Sequence, residues 1–141
     1  MKIYCIIPAR GGSKRIKNKN LIQIKGKPLL QYSIENALKS KKINKVFVSS
    51  DGKKILDFAK KFKVNILKRS KKISKDNTST ERVIDNFISE LKKSNDLPDY
   101  IVLLQPTSPF RDKCDIDNSI NLLLKNKFDS LFSGCLNKNL F

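Results

Sequence analysis

A chain of 141 residues, 39% of them hydrophobic, suffices for one domain with its own core, and no apolar run approaches the roughly 18 residues that span a bilayer. The sequence has no histidine, which excludes Ser–His and Cys–His nucleophile schemes and removes the commonest zinc ligand. The formal net charge of +17 comes mainly from lysines scattered along the chain, without any tryptophan, and this argues against a nucleic-acid-binding protein.

Three cysteines, Cys5, Cys114 and Cys135, are odd in number and widely spaced. This spacing fits neither a zinc pattern nor a disulfide framework, so we expect reduced thiols, with Cys5 packed in the core. The apolar stretch near the N-terminus is too short for a signal-peptide core, and Pro8 and Arg10 interrupt it. We therefore expect a cytoplasmic protein that binds neither nucleic acid nor a membrane.

Strand and helix patterns alternate along the chain. In order, we predict strands at residues 2–8, 46–48, 64–67 and 100–104, each followed by a helix, and the start of a further strand at 129–133. The first helix is predicted to begin at Pro28, and Thr78 with Glu81 has the spacing of a capping box at the third helix. This alternation implies one α/β domain over residues 1–141, with a mostly parallel sheet and helices on both faces.

Unusual polar sequences follow the carboxyl ends of the predicted strands, at residues 9–20, 49–52, 68–80 and 105–111. In parallel sheets, ligands bind at this edge. We therefore predict that these four loops form one shared site.

The loop after the first strand is the most informative of the four. Gly11 and Gly12 let a backbone turn tightly and approach a ligand closely, since neither has a Cβ atom. Arg10 and Lys19 bring positive charge to the same loop. The loop contains neither the G-x-x-x-x-G-K-[ST] nor the G-x-G-x-x-G pattern, yet its glycines and charges favour phosphate binding over a solvated turn.

Three strings occur in a specific order: I-P-A-R-G-G-S-K-R in the first loop, D-x-x-S/T-x-E at residues 76–81, and L-L-Q-P-T-S-P-F-R at residues 103–111. With them the chain resembles the acylneuraminate cytidylyltransferases, also called CMP-sialic acid synthetases, from residue 2 to about residue 133. The resemblance implies a Rossmann-like fold of the nucleotide-diphospho-sugar transferase type. We also expect the chain to be the N-terminal portion of a longer enzyme, because no closing helix follows the last predicted strand.

The resemblance implies that CTP and a nonulosonic acid of the sialic, legionaminic or pseudaminic type react to give the CMP-sugar and pyrophosphate. Positioning and charge neutralisation suffice for this reaction, without a covalent nucleophile. The family pattern places the aspartates that bind Mg²⁺ beyond residue 141, and it implies a homodimer in the full-length form. Two alternatives stay open: a non-catalytic nucleotide-binding remnant, and a nucleotidyltransferase for another sugar acid such as 3-deoxy-manno-octulosonate.

Motif matches carry the family's site residues onto this sequence. Arg10 and Lys19 match catalytic cations that contact the triphosphate, and Gln105 and Arg111 match positions on the sugar side. The nucleotide-binding positions are Ala9, Arg10, Gly11, Gly12, Ser13, Lys19, Asn20, Arg69 and Thr80. No metal ligand is assigned within the chain.

Several residues near these motifs also have structural explanations. Thr80 is equally consistent with a helix cap, and Glu81 fits a capping residue better than a catalytic one. Arg111 is consistent with a brace for its proline-rich turn, and Asp51 with a residue that holds the turn after the second strand. The remaining lysines of the first loop are expected in solvent, namely Lys14 and Lys17.

Overall fold

The computed structural model describes residues 1–13, 16–74, 78–112 and 114–134. Within these ranges the strands are β1 (Ile3–Pro8), β2 (Gln23–Ile24), β3 (Lys27–Pro28), β4 (Lys45–Ser50), β5 (Asn65–Lys68) and β6 (Tyr100–Leu103). The α-helices are α1 (Leu29–Lys39), α2 (Lys53–Lys60), α3 (Thr80–Lys93) and α4 (Asp115–Asn126), with short 3₁₀ turns at Lys19–Leu21 and Lys71–Ser74. Lys14, Asp76 and Cys135 lie outside the described residues.

Four of the strands form a parallel sheet in the order β5–β4–β1–β6. The central strand β1 pairs with β4 on one side, where Ile6 lies opposite Phe47, and with β6 on the other, where Ile6 lies opposite Leu103. Nearly continuous apolar residues make β1 a strand that is buried on both faces, as parallel sheets require. The predicted mostly parallel sheet is confirmed.

Alternate side chains of β1 serve two separate cores. Ile3, Cys5 and Ile7 pack with α1, α2 and α4 on one face of the sheet, whereas Tyr4 and Ile6 pack with α3 on the other. The prediction of helices on both faces is therefore confirmed. Cys5 is a fully buried core residue, as predicted, and burial raises the pKa of its thiol.

Hydrogen bonds at the amino ends of the strands tie the sheet to the loop before β6. Asp96 accepts from the Tyr4 hydroxyl at 2.6 Å, from Lys45 Nζ at 2.5 Å and from Lys2 Nζ at 3.2 Å. The Lys45 and Tyr4 hydrogen bonds hold the pKa of Asp96 well below its usual range. This cluster lies at the end of the sheet opposite to the predicted ligand-binding edge. We therefore assign it a role in stabilising the fold and not in binding the ligand.

Two helix starts differ from the prediction by one residue. Pro28 has an extended ψ of 140° and pairs with Gln23, so it precedes α1 as the N-cap and the helix begins at Leu29. Ser79, not Thr78, caps α3, because its Oγ accepts from the backbone N–H of Arg82 at 3.4 Å. The predicted pairing of Thr78 with Glu81 is therefore wrong.

Two further features were predicted wrongly or not at all. Residues 129–133 form no strand, although one was predicted to start there. An apolar segment becomes a strand only when its backbone is hydrogen-bonded to a neighbouring strand. The Phe132 side chain is 93% exposed. The β2–β3 hairpin was not predicted; its two-residue turn holds Lys25 and Gly26 at positive φ, as tight hairpins require. Among the described helices, none has both the length and the apolar character needed to cross a membrane.

Candidate functional site

A cavity of about 220 Å³ opens at the carboxyl edge of the sheet. Three of the four predicted loops line it, those that follow β1, β5 and β6. Its polar lining residues are Arg10, Ser13, Lys19, Asn20, Arg69, Ser74, Thr78, Thr80, Gln105 and Thr107. The prediction of a shared site is thus confirmed for three loops, whereas the turn at residues 49–52 lies outside the lining of this cavity.

The loop after β1 brings two of its cations, Arg10 and Lys19, to the cavity. The backbone N–H of Ala9 donates to the Ser49 carbonyl at 2.9 Å, which extends the β1–β4 ladder past the end of β1. Asn20, only 5% exposed, donates from Nδ2 to the Arg10 carbonyl at 3.0 Å. This contact brings the beginning and the end of the loop together, so that Arg10 and Lys19 line the same cavity.

Gly11 is required for a different reason from the one that the sequence indicates. Neither Gly11 nor Gly12 has a φ in the left-handed region. A Cβ atom at Gly11 would lie 2.9 Å from the Cα atom of Gly52, whereas one at Gly12 would meet nothing within 4 Å. Close packing against the turn after β4 therefore explains the glycine at position 11, and the structure imposes no such need at position 12.

Asp51 reaches across to the first loop. Its Oδ1 accepts from the backbone N–H of Gly11 at 2.9 Å. The turn after β4 is held locally by Ser50, whose Oγ accepts from the Gly52 N–H at 3.0 Å. The Asp51 side chain thus joins two loops that are 40 residues apart in sequence, whereas the bond within the turn, the role predicted for Asp51, comes from Ser50.

Arg69 is a buried cation at the cavity wall. Its residue is 6% exposed, its backbone N–H donates to the Ser50 carbonyl at 2.8 Å, and its Nε has no hydrogen-bond partner among the described residues. Burial lowers the pKa of its guanidinium; the charge of Arg10 adds to that decrease, and Asp51 opposes it. A buried guanidinium with an unmet donor is suited to an anionic or hydrogen-bond-accepting ligand.

The electrostatic character of the cavity is positive. Arg10, Lys19 and Arg69 line it, and none of the described lining residues is Asp or Glu. Hydroxyl groups from several loops add hydrogen-bond donors that suit phosphate or sugar oxygens. The lining therefore fits a polyanion that also offers many oxygen acceptors.

The predicted sugar-side residues differ in their placement. Gln105 lines the cavity, but Arg111 is not among the residues that line it. Arg111 donates from Nη2 to the Gln105 carbonyl at 3.3 Å, while its Nη1 is buried without a partner in the described part of the chain. Burial lowers the pKa of the Arg111 guanidinium. This contact supports the brace that the sequence suggested as an alternative for Arg111.

The remaining predicted positions are distributed around the loop and α3. Thr80 lines the cavity as the first residue of α3, and the capping role belongs to Ser79. Ala9 is fully buried beneath the loop, and Gly12 is exposed on it. Lys17 is exposed, as predicted. The side chain of Glu81 lies at the start of α3, where its own backbone N–H and the Ser79 hydroxyl lower its pKa.

A protein-built metal site is not formed by the residues that the structure describes. They contain no group of three or more His, Cys, Asp or Glu side chains placed to hold an ion. Asp51 is a carboxylate beside the first loop, and one of its oxygens accepts from the Gly11 N–H. The described residues therefore do not by themselves fit a divalent metal ion, which needs several oxygen ligands.

Sequence comparisons give a consistent result. A family profile described as cytidylyltransferase matches residues 4–139. The chain is 40% identical over 135 residues to a pseudaminic acid cytidylyltransferase of Campylobacter jejuni, which covers 95% of this chain and 58% of that protein. It is 39% identical over 123 residues to an N-acylneuraminate cytidylyltransferase of Escherichia coli, covering 86% of this chain and 28% of that protein.

Solved structures show the same fold. A CMP:2-keto-3-deoxy-manno-octonic acid synthetase complexed with CTP matches with a TM-score of 0.73 and 24% identity, over 91% of this chain and 49% of that chain. A cytidylyltransferase from Leptospira borgpetersenii matches with a TM-score of 0.69 and 26% identity, over 91% and 51% of the two chains. The present chain thus spans about half the length of these structures and 58% of the Campylobacter protein.

Proposed function

The chain belongs to the cytidylyltransferase family, and from this premise we propose that the natural protein transfers CMP from CTP to a nonulosonic acid and releases pyrophosphate. One observation supports this most strongly. Arg10, Lys19 and Arg69, from loops after two different strands, line one cavity whose described lining has no acidic residue. Such a cavity fits the charge of a nucleoside triphosphate. The names of the similar proteins point to pseudaminic or N-acylneuraminic acid as the class of acceptor.

In the proposed reaction, the anomeric hydroxyl oxygen of the sugar acid attacks the α-phosphorus of CTP. A bond forms between that oxygen and phosphorus, the bond from the α-phosphorus to the bridging oxygen breaks, and pyrophosphate leaves; the hydroxyl proton is released. Arg10 and Lys19 neutralise the charge that the triphosphate carries and that pyrophosphate retains. The chain needs no nucleophilic side chain for such a direct transfer, which agrees with its lack of histidine.

The other residues take positioning roles in this proposal. The backbone of Gly11 and Gly12 and the Ser13 hydroxyl lie along the triphosphate, above the buried Ala9. Asn20, Arg69 and Thr80 surround the cytidine, and the Nε donor of Arg69, which no other described residue binds, supports that assignment. Gln105 faces the sugar acid from the far wall, with Arg111 holding the turn that presents it.

Cytidylyltransferases of this kind generally use a divalent metal ion, and we propose Mg²⁺ here. Such an ion supplies charge stabilisation at the phosphate oxygens and takes few protein ligands when a triphosphate is present. We assign none of the described residues to it. We also propose that residues 1–141 form the N-terminal part of one catalytic domain. The homodimer and the cytoplasmic location stay predictions.

Measuring pyrophosphate release tests the proposal. The natural protein is mixed with each of the four nucleoside triphosphates and with pseudaminic, N-acetylneuraminic, legionaminic or 3-deoxy-manno-octulosonic acid, with Mg²⁺ present. Release with CTP and one of the three nonulosonic acids supports it. Release only with another nucleotide or with 3-deoxy-manno-octulosonic acid contradicts it, and no release with any pair favours a non-catalytic nucleotide-binding protein.

A further inference from the structure

The loop that follows β1 meets the turn after β4 at Gly11. There the Gly11 N–H donates to Asp51 Oδ1 at 2.9 Å, and the missing Cβ of Gly11 lets its backbone approach Gly52. Resting on the proposed function, we infer that Asp51 is a positioning residue that holds the triphosphate-binding loop in its binding conformation through the Gly11 amide. Asp51 would act on CTP only through this loop.

The location of Asp51 supports an indirect role. It does not line the cavity that holds Arg10 and Lys19, but a separate one of about 270 Å³ beside Gly11, Gly52 and the start of α2. A carboxylate inside the first cavity would repel a triphosphate, whereas one behind the loop can bind a backbone amide without facing the phosphates. The placement of Asp51 thus separates a strong hydrogen-bond acceptor from the anionic ligand.

Asp51 is also attached to a rigid part of the fold. It directly follows β4, where Ser49 and Ser50 are fully buried and their carbonyls accept from the N–H groups of Ala9 and Arg69. A hydrogen bond from a backbone amide to an ionised carboxylate is stronger than one to a neutral acceptor. The bond to Asp51 therefore attaches Gly11 to the end of β4, one step beyond the bond between Ala9 and Ser49, and losing it would leave the loop after Ala9 freer to move.

A second explanation for Asp51 is its charge. The carboxylate raises the pKa of Arg69, opposing the effect of burial, so Asp51 also balances a buried cation. The two roles differ in what a conservative substitution does. Asparagine keeps an oxygen that can accept from the Gly11 N–H but removes the charge, whereas alanine removes both.

The experiment compares Asp51→Ala, Asp51→Asn and the control Asp57→Ala in the natural protein. Asp57 is an exposed carboxylate on α2 that forms an ion pair with Lys60 at 3.4 Å. The first measurement is amide hydrogen exchange of the peptide covering residues 9–13 without nucleotide. We expect the fastest exchange in Asp51→Ala, an intermediate rate much closer to wild type in Asp51→Asn, and wild-type exchange in Asp57→Ala. This measurement does not depend on catalysis, so it remains valid if the proposed reaction is not observed.

The second measurement separates the KM for CTP from the KM for the sugar acid. Asp51→Ala should raise the KM for CTP about tenfold, the size expected for one lost charge-assisted hydrogen bond, and leave the KM for the sugar acid unchanged. Asp51→Asn should remain within about threefold of wild type. A general loss of structure would lower the active fraction without this selective rise in one KM.

The inference is overturned if Asp51→Ala exchanges like wild type at residues 9–13, or if its KM for CTP is unchanged. It is also overturned if Asp51→Asn is impaired as strongly as Asp51→Ala, because the charge and not the hydrogen bond would then matter. If Asp51→Ala does not fold, Asp51→Ser replaces it, since a serine hydroxyl is too short to span the same gap. Absence of turnover in the wild-type protein would contradict the proposed function alone.

Discussion

A Cβ atom on Gly11 would lie 2.9 Å from the Cα atom of Gly52, so the two loops meet backbone to backbone. Gly11→Ala must displace one of them, and neither contact atom belongs to a flexible side chain. We expect a loss of about 2 kcal/mol in the free energy of unfolding, which is typical of overpacking. Gly12→Ala, at an open position, should change it by less than about 1 kcal/mol. Equal denaturation curves for the two variants would contradict this close contact.

Lys19 lines the cavity, whereas Lys17 of the same loop is exposed. Lys19→Ala should lower the rate of CMP-sugar formation by at least about a hundredfold, since the triphosphate loses a contacting cation. Lys17→Ala makes the same change in net charge outside the cavity and should keep near-normal turnover. Both are measured as pyrophosphate release by the natural protein. Near-normal turnover in Lys19→Ala would remove Lys19 from the mechanism.

We expect Arg69 to favour CTP binding without stabilising the fold, because its charge is buried and its Nε lacks a partner among the described residues. Arg69→Met should leave the free energy of unfolding unchanged or raise it by about 1 kcal/mol, since a buried charge is removed. The same variant should weaken CTP binding at least about tenfold in calorimetry. Arg82→Met, on the exposed start of α3, should alter neither quantity. A strongly destabilised Arg69→Met with intact binding would show that Arg69 is structural.

Asp96 should make stability depend on pH in the acid range. The hydrogen bonds from Lys45 and Tyr4 hold the pKa of Asp96 below its unfolded value near 4, so its stabilisation is complete above that value. As the pH falls below about 4 toward the folded pKa, this stabilisation is lost, because the unfolded chain takes up the proton first. Asp96→Asn cannot titrate in this way. The difference in unfolding free energy between wild type and Asp96→Asn should therefore be constant above about pH 5 and narrow below about pH 4.

Denaturant titrations at several pH values measure that difference. Asp57→Asn is the matched control, because the Asp57 carboxylate is exposed and forms an ion pair with Lys60 at 3.4 Å on the protein surface. Its unfolding free energy should differ little from that of wild type at every pH. A difference in unfolding free energy between wild type and Asp96→Asn that stays the same down to pH 2 would contradict a pKa of Asp96 lowered by folding.

Much of the fold could be predicted because it rests on local periodicity. The buried strand β1 and the apolar faces of the helices depend on residues that are neighbours in sequence, and their patterns identify them. The hairpin of β2 and β3 could not be found in this way, since two-residue strands carry no period. Residues 129–133 show the converse error: their composition suits a strand, but pairing depends on a neighbouring strand.

The candidate site, like the fold, could be predicted from the sequence only in part. Its loops were predictable, because the carboxyl ends of parallel strands lie at one edge of a sheet and the cations of the first loop are visible in the sequence. The exclusion of the turn at residues 49–52 from the cavity was not predictable. It depends on how the loop after β1 packs against that turn, and no local sequence pattern predicts this packing.

By itself, the sequence determined the order of strands and helices, the family motifs and the positive charge of the first loop. Only the tertiary structure decided that Gly11 contacts Gly52, that Asp51 binds the Gly11 amide, and that Arg69 is buried with an Nε donor that has no partner among the described residues. The physical reason is distance along the chain. Gly11 and Asp51 are 40 residues apart, and they meet only because β1 and β4 pair side by side and end at the same edge.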